Sequence, residues 1–186
     1  FELHLITGFC FRCQQHDPQA QRQLYDRYRN QLMGIAMRYA RQHSDAEDIF
    51  QEAFIQAFRH LHQVKEPTAL LGWLKQITIR TAIRHYHRAQ QSLTIALEDA
   101  PVTANEDDHT IQAKLQREQL LHLINQLPDG YRVVFNLYVI DGYSHEEIAQ
   151  TLGIREASSR SQLARAKQQL KTMLKQLGIQ QYEKYG

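Results

Sequence analysis

Arg155, Arg160, Arg165, Lys167, Lys171 and Lys175 crowd one short stretch of this chain, with Ser158, Ser159, Ser161, Gln162 and Gln168 among them and Glu156 as the only acid. Cationic heads mixed with short hydroxyls and amides are suited to phosphate oxygens and base edges. The chemistry indicated is recognition of nucleic acid, not bond making. A solvated face on a core helix is the plainer reading of such a run. That face would normally interleave opposite charges four residues apart, and here it would repel itself without an anionic partner.

Two other groupings have the residue types for metal chemistry. Cys10 and Cys13 stand three apart, and His16 follows three further on. Zinc takes four ligands and no second cysteine pair exists, so beside Phe9 and Phe11 the two cysteines read as small apolar residues of a helix. His60 with His62, and His85 with His87, lie two apart, which on a helix turns them about 200° from each other and prevents chelation of one ion. No metal, no cofactor and no catalytic residue is expected.

The basic run must be held by a pair of helices. In Ser144–Leu170, SHEEIAQTLGIREASSRSQLARAKQQL, Ser144 and Glu147 can form a capping box, and Ile148, Ala149 and Leu152 make an apolar stripe. Gly153 allows the positive φ of a sharp turn, Ile154 plugs the angle, and the stripe resumes as Leu163, Ala166 and Leu170. This is a helix-turn-helix. With Leu163 facing the core, Ser158, Ser161, Arg165 and Gln168 point away, flanked by Arg160 and Gln162. With the adjacent Ser159 and Lys167 they form the expected DNA-binding surface.

The rest of the chain reads as helical too. Its 186 residues include only 8 Gly and 4 Pro, and no alternating β-branched run appears. The formal charge of +2 hides segregation: acids cluster at Asp45–Glu52 and again at Glu98–Asp108, while the last third is basic. Asp17–Pro18 predicts a helix start, followed by Leu24, Tyr28, Leu32, Ile35, Ala36 and Tyr39 at helical spacing. A second start is expected at Ser44, capped with Glu47, whose helix turns Ile49, Ala53, Phe54, Ala57, Phe58 and Leu61 inward and Asp48, Gln51, Glu52 and Gln56 outward.

A loop over Lys65–Gly72 precedes a helix predicted for Trp73–Arg88. That helix mixes apolar residues around most of its circumference with Lys75, Arg80, Arg84 and Arg88, so it is either sandwiched in a core or offers aromatic and cationic groups to a ligand. Residues 90–110 have too little apolar content to fold alone and read as a linker. Beyond it come a helix through Leu127, a break at Pro128–Asp129–Gly130, a helix from Tyr131 to Ile140, and the Asp141–Gly142 break. The expected class is all-α: a first domain over 1–89, a linker over 90–110, a second domain over 111–178 and a tail over 179–186. No stretch is apolar enough to insert in a membrane, and the first residues lack the pattern of a signal peptide, so a cytoplasmic location is expected.

Residues 127–170, LPDGYRVVFNLYVIDGYSHEEIAQTLGIREASSRSQLARAKQQL, resemble region 4 of the extracytoplasmic-function (group IV) sigma factors of the sigma-70 family. Residues 45–61, DAEDIFQEAFIQAFRHL, with 72–88, GWLKQITIRTAIRHYHR, resemble their region 2. The wording is most similar to the Bacteroidetes branch. The resemblance implies a factor, not an enzyme, that binds core RNA polymerase and directs it to promoter DNA. It assigns Asp45, Asp48, Gln51, Glu52 and Phe54 to polymerase docking, and Lys65, Trp73, Lys75, Arg80, Arg84, Tyr86 and Arg88 to the −10 element. The helix-turn-helix takes the −35 element, and an anti-sigma factor is an expected partner.

Arg80 and Arg84 depart from the family's usual asparagine and small acid or amide, and Ser159 stands where valine is common. The main rival is a conventional helix-turn-helix regulator that never recruits polymerase. A metal-dependent hydrolase using Cys10, Cys13 and His16 lacks both a paired general base and a fourth ligand.

Overall fold

The computed structural model describes residues 12–15, 17–64, 66–95 and 112–177, and every regular element among them is helical. The chain divides into two compact units, Phe1–Gln90 and Gln91–Gly186. Cys10, His16, Lys65, most of the acidic segment and the C-terminal tail lie outside the described residues.

In the first unit, α1 spans Pro18–Tyr39 and starts as its sequence predicts. Asp17 Oδ1 accepts from the amides of Gln19 at 2.9 Å and Ala20 at 3.4 Å, and Pro18 takes the first helical position. Leu24, Leu32, Ile35, Ala36 and Tyr39 are buried, whereas Tyr28 is half-buried. The preceding Cys13 is buried, and no group of three or more metal-ligating side chains occurs among the described residues.

Helix α2 covers His43–His60, and the capping box expected at Ser44 is not formed. The cap falls two residues earlier, at Gln42, so the Ser44 backbone is already helical and its hydroxyl cannot act as a cap. Glu47 instead approaches His43 Nε2 at 3.3 Å. Inward, α2 contributes to an aromatic cluster in which Phe54 lies 4.9 Å from Tyr25, 5.0 Å from Phe50 and 5.8 Å from Phe58 between ring centroids. Each such pair adds about 0.5–1.5 kcal/mol beyond area burial, so these rings set how α2 sits on α1.

A single 3₁₀ turn over Pro67–Ala69 leads into α3, Leu70–Ile95. The helix is longer at both ends than the predicted Trp73–Arg88. No Gly or Pro interrupts 73–95, and Gln90 and Gln91 are good helix formers, so the first six residues of the expected linker continue the helix. The helix divides its faces: Leu70, Leu74, Thr78, Ile79, Thr81, Ala82 and Ile83 are buried, while Lys75, Arg80, Arg84 and Arg88 are exposed.

In the second unit, α4 is Gln112–Asn125 and α5 is Asp129–Phe135. The break expected at Pro128–Asp129–Gly130 shrinks to the residues before Asp129, because Pro128 sits at the cap and Asp129 and Gly130 already belong to the helix. After Phe135 the backbone widens into a π-helical turn, Asn136–Ile140, closed by Asp141 N–H donating to Asn136 O at 2.9 Å. Helices α6, His145–Leu152, and α7, Glu156–Gln176, complete the unit. Leu123, Ile124, Leu127, Ala166 and Leu170 form a core cluster, with Tyr131, Phe135, Met173 and Leu174 packed against it. Full burial of one such aliphatic chain contributes about 1.5–3 kcal/mol.

Gly153 closes α6 at φ 66°, ψ 33°, as the sequence predicts. A Cβ there would touch nothing within 4 Å, so Gly153→Ala should lose about 1 kcal/mol from left-handed backbone strain alone. Urea unfolding checks this. An unchanged midpoint would mean that the turn does not need this conformation.

Candidate nucleic-acid interface

The capping box at the start of α6 is complete: Ser144 Oγ accepts from Glu147 N at 3.2 Å, and Ser144 N donates to Glu147 Oε2 at 2.8 Å. It fixes where α6 begins, and Gly153 fixes where it ends. Ile148, Leu152, Leu163, Ala166 and Leu170 are buried, which leaves the opposite side of α7 outward. Arg160, Ser161, Arg165, Lys167 and Gln168 are exposed, and Ser158 and Gln162 half-buried.

Ser159 is a correction. It is 0% exposed, with its Oγ 2.9 Å from His145 Nδ1, so it ties the two helices of the motif together and cannot reach DNA from the solvent face. The His145 ring also stacks on Tyr138, 4.4 Å between centroids. Seven positions in the run from 158 to 167 were equally polar to the eye, and only the helical phase of residue 159 beside Leu163 and Ala166 signals burial.

Loss of hydration, then the charge of Arg160, holds the His145 imidazole below its ordinary value of 6.5. As pH falls through the interval between these two values, the unfolded chain takes up a proton that the folded unit does not, so stability drops. Glu147, held low by its bonds with Ser144, acts in the same direction at lower pH. The urea midpoint of this unit should therefore fall on acidification from neutral pH. A rise would show that His145 gains a proton in the folded state.

Arg160 is paired with Glu156, one turn earlier, so one opposite-charge contact does exist in the basic run. Arg165 Nη1 donates to Tyr131 Oη at 3.3 Å, and this bond shifts its titration upward. Tyr131 therefore limits where the Arg165 guanidinium can point.

In the first unit, Arg80, Arg84 and Arg88 repeat every four residues and form one exposed row along α3. Trp73 and Tyr86 are half-buried, and Lys75 is exposed. On α2, Asp45, Asp48 and Gln51 are exposed on the outer face. Phe54 is a second correction: at 4% exposure inside the aromatic cluster it positions the helix and offers no surface for docking. Ile55, 51% exposed one turn beyond Gln51, is the apolar side chain that does stand on that face. Its spacing of seven from Asp48 was the available signal.

Glu52 differs from its neighbours. Its Oε2 lies 2.7 Å from His85 Nε2 and 3.4 Å from Arg88 Nη1, and its Oε1 lies 3.3 Å from Arg84 Nη1. Desolvation raises its titration, but the His85 hydrogen bond and the charges of Arg84, His85 and Arg88 outweigh this and hold the carboxyl below the usual range.

Among the described residues every element is helical, and an acidic helix face, a basic aromatic helix and a helix-turn-helix together define the class of DNA-binding transcription factors. The family description Sigma-70 region 2 matches residues 24–92, and Sigma-70, region 4 matches residues 117–170. The chain belongs to the sigma-70 family, in its extracytoplasmic-function class. It is similar to the sigma-H factor of Pseudomonas aeruginosa, 29% identical over 89% of this chain and 92% of that one. It is likewise similar to the ECF sigma-E factor of Haemophilus influenzae, 29% identical over 89% and 93%. The probable sigma factor RfaY of Xanthomonas campestris is 31% identical over 79% of this chain, which spans only 38% of that relative's length.

Proposed function

We propose that this chain binds core RNA polymerase and directs promoter-specific initiation by recognising −35 and −10 elements. The observation that carries the reading is the presence of region 2 and region 4 in that order on one chain. The exposed acids Asp45 and Asp48 with Gln51 and Ile55 are the docking face on the polymerase, where an acidic row complements a basic partner. The row Arg80–Arg84–Arg88, with Lys65, Trp73, Lys75 and Tyr86, takes the opened −10 strand, where cations meet phosphates and rings meet bases. Arg160, Arg165 and Lys167, with Ser158, Ser161 and Gln162, take the −35 duplex.

Residues 1–89 serve as the polymerase and −10 domain, 111–178 as the −35 domain, with 90–110 as linker and 179–186 as tail. The chain acts without catalysis of its own, in the cytoplasm, and no helix among the described residues is long and apolar enough to cross a membrane. An anti-sigma factor that covers the same faces is its regulatory partner, and the wording of regions 2 and 4 favours an origin in the Bacteroidetes. A conventional regulator is disfavoured by the region 2 match, for which it has no use.

Gel filtration with core enzyme tests the docking step. The chain is expected to move into the polymerase fraction, and elution unchanged beside core would overturn the reading.

A further inference from the structure

We propose that His145 and Ser159 are positioning residues for −35 recognition: the hydrogen bond between them holds α7 at the angle to α6 that presents its reading face. The inference rests on the function proposed above and adds to it two residues that act through the helix and not on the bases.

Ser159 is flanked by Ser158, Arg160 and Ser161, three of the side chains proposed to meet the duplex, yet it is itself 0% exposed. Whatever holds Ser159 therefore holds its neighbours, because all four share one rigid turn. Its Oγ lies 2.9 Å from His145 Nδ1, and either tautomer serves, the hydroxyl donating to a bare nitrogen or accepting from a protonated one. His145 is the first residue of α6, eight positions before Gly153. At about 1.5 Å per helical residue the bond acts about 12 Å from the turn on which the two helices would hinge.

A restraint so far from the hinge limits rotation strongly. The apolar side chains between the helices, Ile148, Leu152, Leu163 and Ala166, supply cohesion with little direction, whereas a hydrogen bond is directional. The imidazole is in turn fixed by stacking on Tyr138 of the π-helical turn, 4.4 Å between centroids and 21° between planes. The bond is also more than the satisfaction of a buried hydroxyl, since a helical serine can turn its hydroxyl to the carbonyl four residues back, here that of Arg155. Sequence-specific binding needs the correct angle, so its affinity scales with the population that has it. Charge attraction to any duplex needs no fixed angle. The pair therefore governs preference for the −35 sequence and leaves general attraction to DNA alone.

The test uses the full chain assembled with core polymerase, a promoter duplex that the parent transcribes, and the same duplex with its upstream element scrambled and its −10 element intact. Fluorescence anisotropy gives the ratio of the two affinities. His145→Phe keeps a ring to stack on Tyr138 and removes the bond, and Ser159→Ala removes it from the other side. Each should lower the ratio about fivefold, the share of one hydrogen bond, with affinity for the scrambled duplex within about twofold of the parent. Combined, they should lose no more than either alone. His145→Asn, whose amide takes the place of Nδ1 without the ring, should return the ratio to within about twofold of the parent. Circular dichroism establishes that each variant is folded at the assay temperature. Should His145→Phe not fold, Ser159→Ala, which removes a single oxygen, carries the test.

A pair that only stabilised the fold would lower the melting temperature and leave the ratio of the folded variants at the parental value, which overturns the proposal. So would equal losses on both duplexes, which would make His145 a phosphate contact, or a His145→Phe loss that persists in the Ser159→Ala background. Failure of the parent holoenzyme to distinguish the two duplexes would remove the −35 reading and this inference with it, whereas a discriminating parent with indifferent variants removes the inference alone.

Discussion

Asp45→Lys combined with Asp48→Lys is expected to abolish association with core RNA polymerase while leaving helical content unchanged. Both side chains are exposed on the outer face of α2, so neither contributes to the core that Ala46, Ile49, Phe50, Ala53, Phe54 and Ala57 form beneath them. Reversing two charges on a rigid face turns two attractions into two repulsions at the same distance. Removing one partner of a desolvated charge pair costs about 2–5 kcal/mol, so affinity should fall at least about a hundredfold. Asp45 lies in the first turn of α2, where a lysine also opposes the helix dipole, a loss of about 0.3–1 kcal/mol that the buried face tolerates. Circular dichroism checks the helix, and labelled-protein titration checks core affinity. Tight binding by the double variant would place the docking surface elsewhere.

Arg165→Ala should weaken binding to the −35 duplex, and the form of the loss identifies the contact. Arg165 is exposed, on the side of α7 away from the buried Leu163, with Tyr131 limiting its range. If the guanidinium reads a guanine bidentately, the loss is about 1–3 kcal/mol and falls on one base position. If it meets a phosphate, affinity drops evenly across sequences and the salt slope decreases by about one. Tyr131→Phe removes only the hydroxyl that restrains Arg165, and a smaller loss of the same kind is expected. Equal binding by Arg165→Ala and parent at every salt concentration would mean that another side of α7 faces the DNA.

Much of this arrangement is legible in the amino-acid sequence. The cap at Asp17–Pro18, the Ser144–Glu147 box, Gly153 and the stripe Leu163–Ala166–Leu170 are local signals, each made by residues a few positions apart, and they fix α1, α6 and α7 as expected. What the sequence concealed was long-range. The capping box at Ser44 has the right letters, yet the helix is already under way there, its cap lying two residues earlier at Gln42. Phe54 follows the inward stripe that the spacing predicts, and its contacts with Tyr25 and Phe50 bury it in spite of the docking role that the resemblance implies. Glu52 looks like another member of an acidic face until His85, thirty-three positions away, is brought against it. Ser159 looks like its polar neighbours until His145 closes over it. The site was readable as a set of faces, and which residues serve the partner and which hold the faces in place depended on tertiary contacts.

Run-off transcription with purified core enzyme and a pool of genomic fragments tests the central claim most directly. Core alone and this protein alone should each give no discrete products, and together they should give transcripts with defined starts from a small set of fragments sharing upstream and start-proximal elements. Absence of discrete transcripts from the mixture, with sequence-specific duplex binding by the protein on its own, would contradict the account and leave a conventional helix-turn-helix regulator in its place.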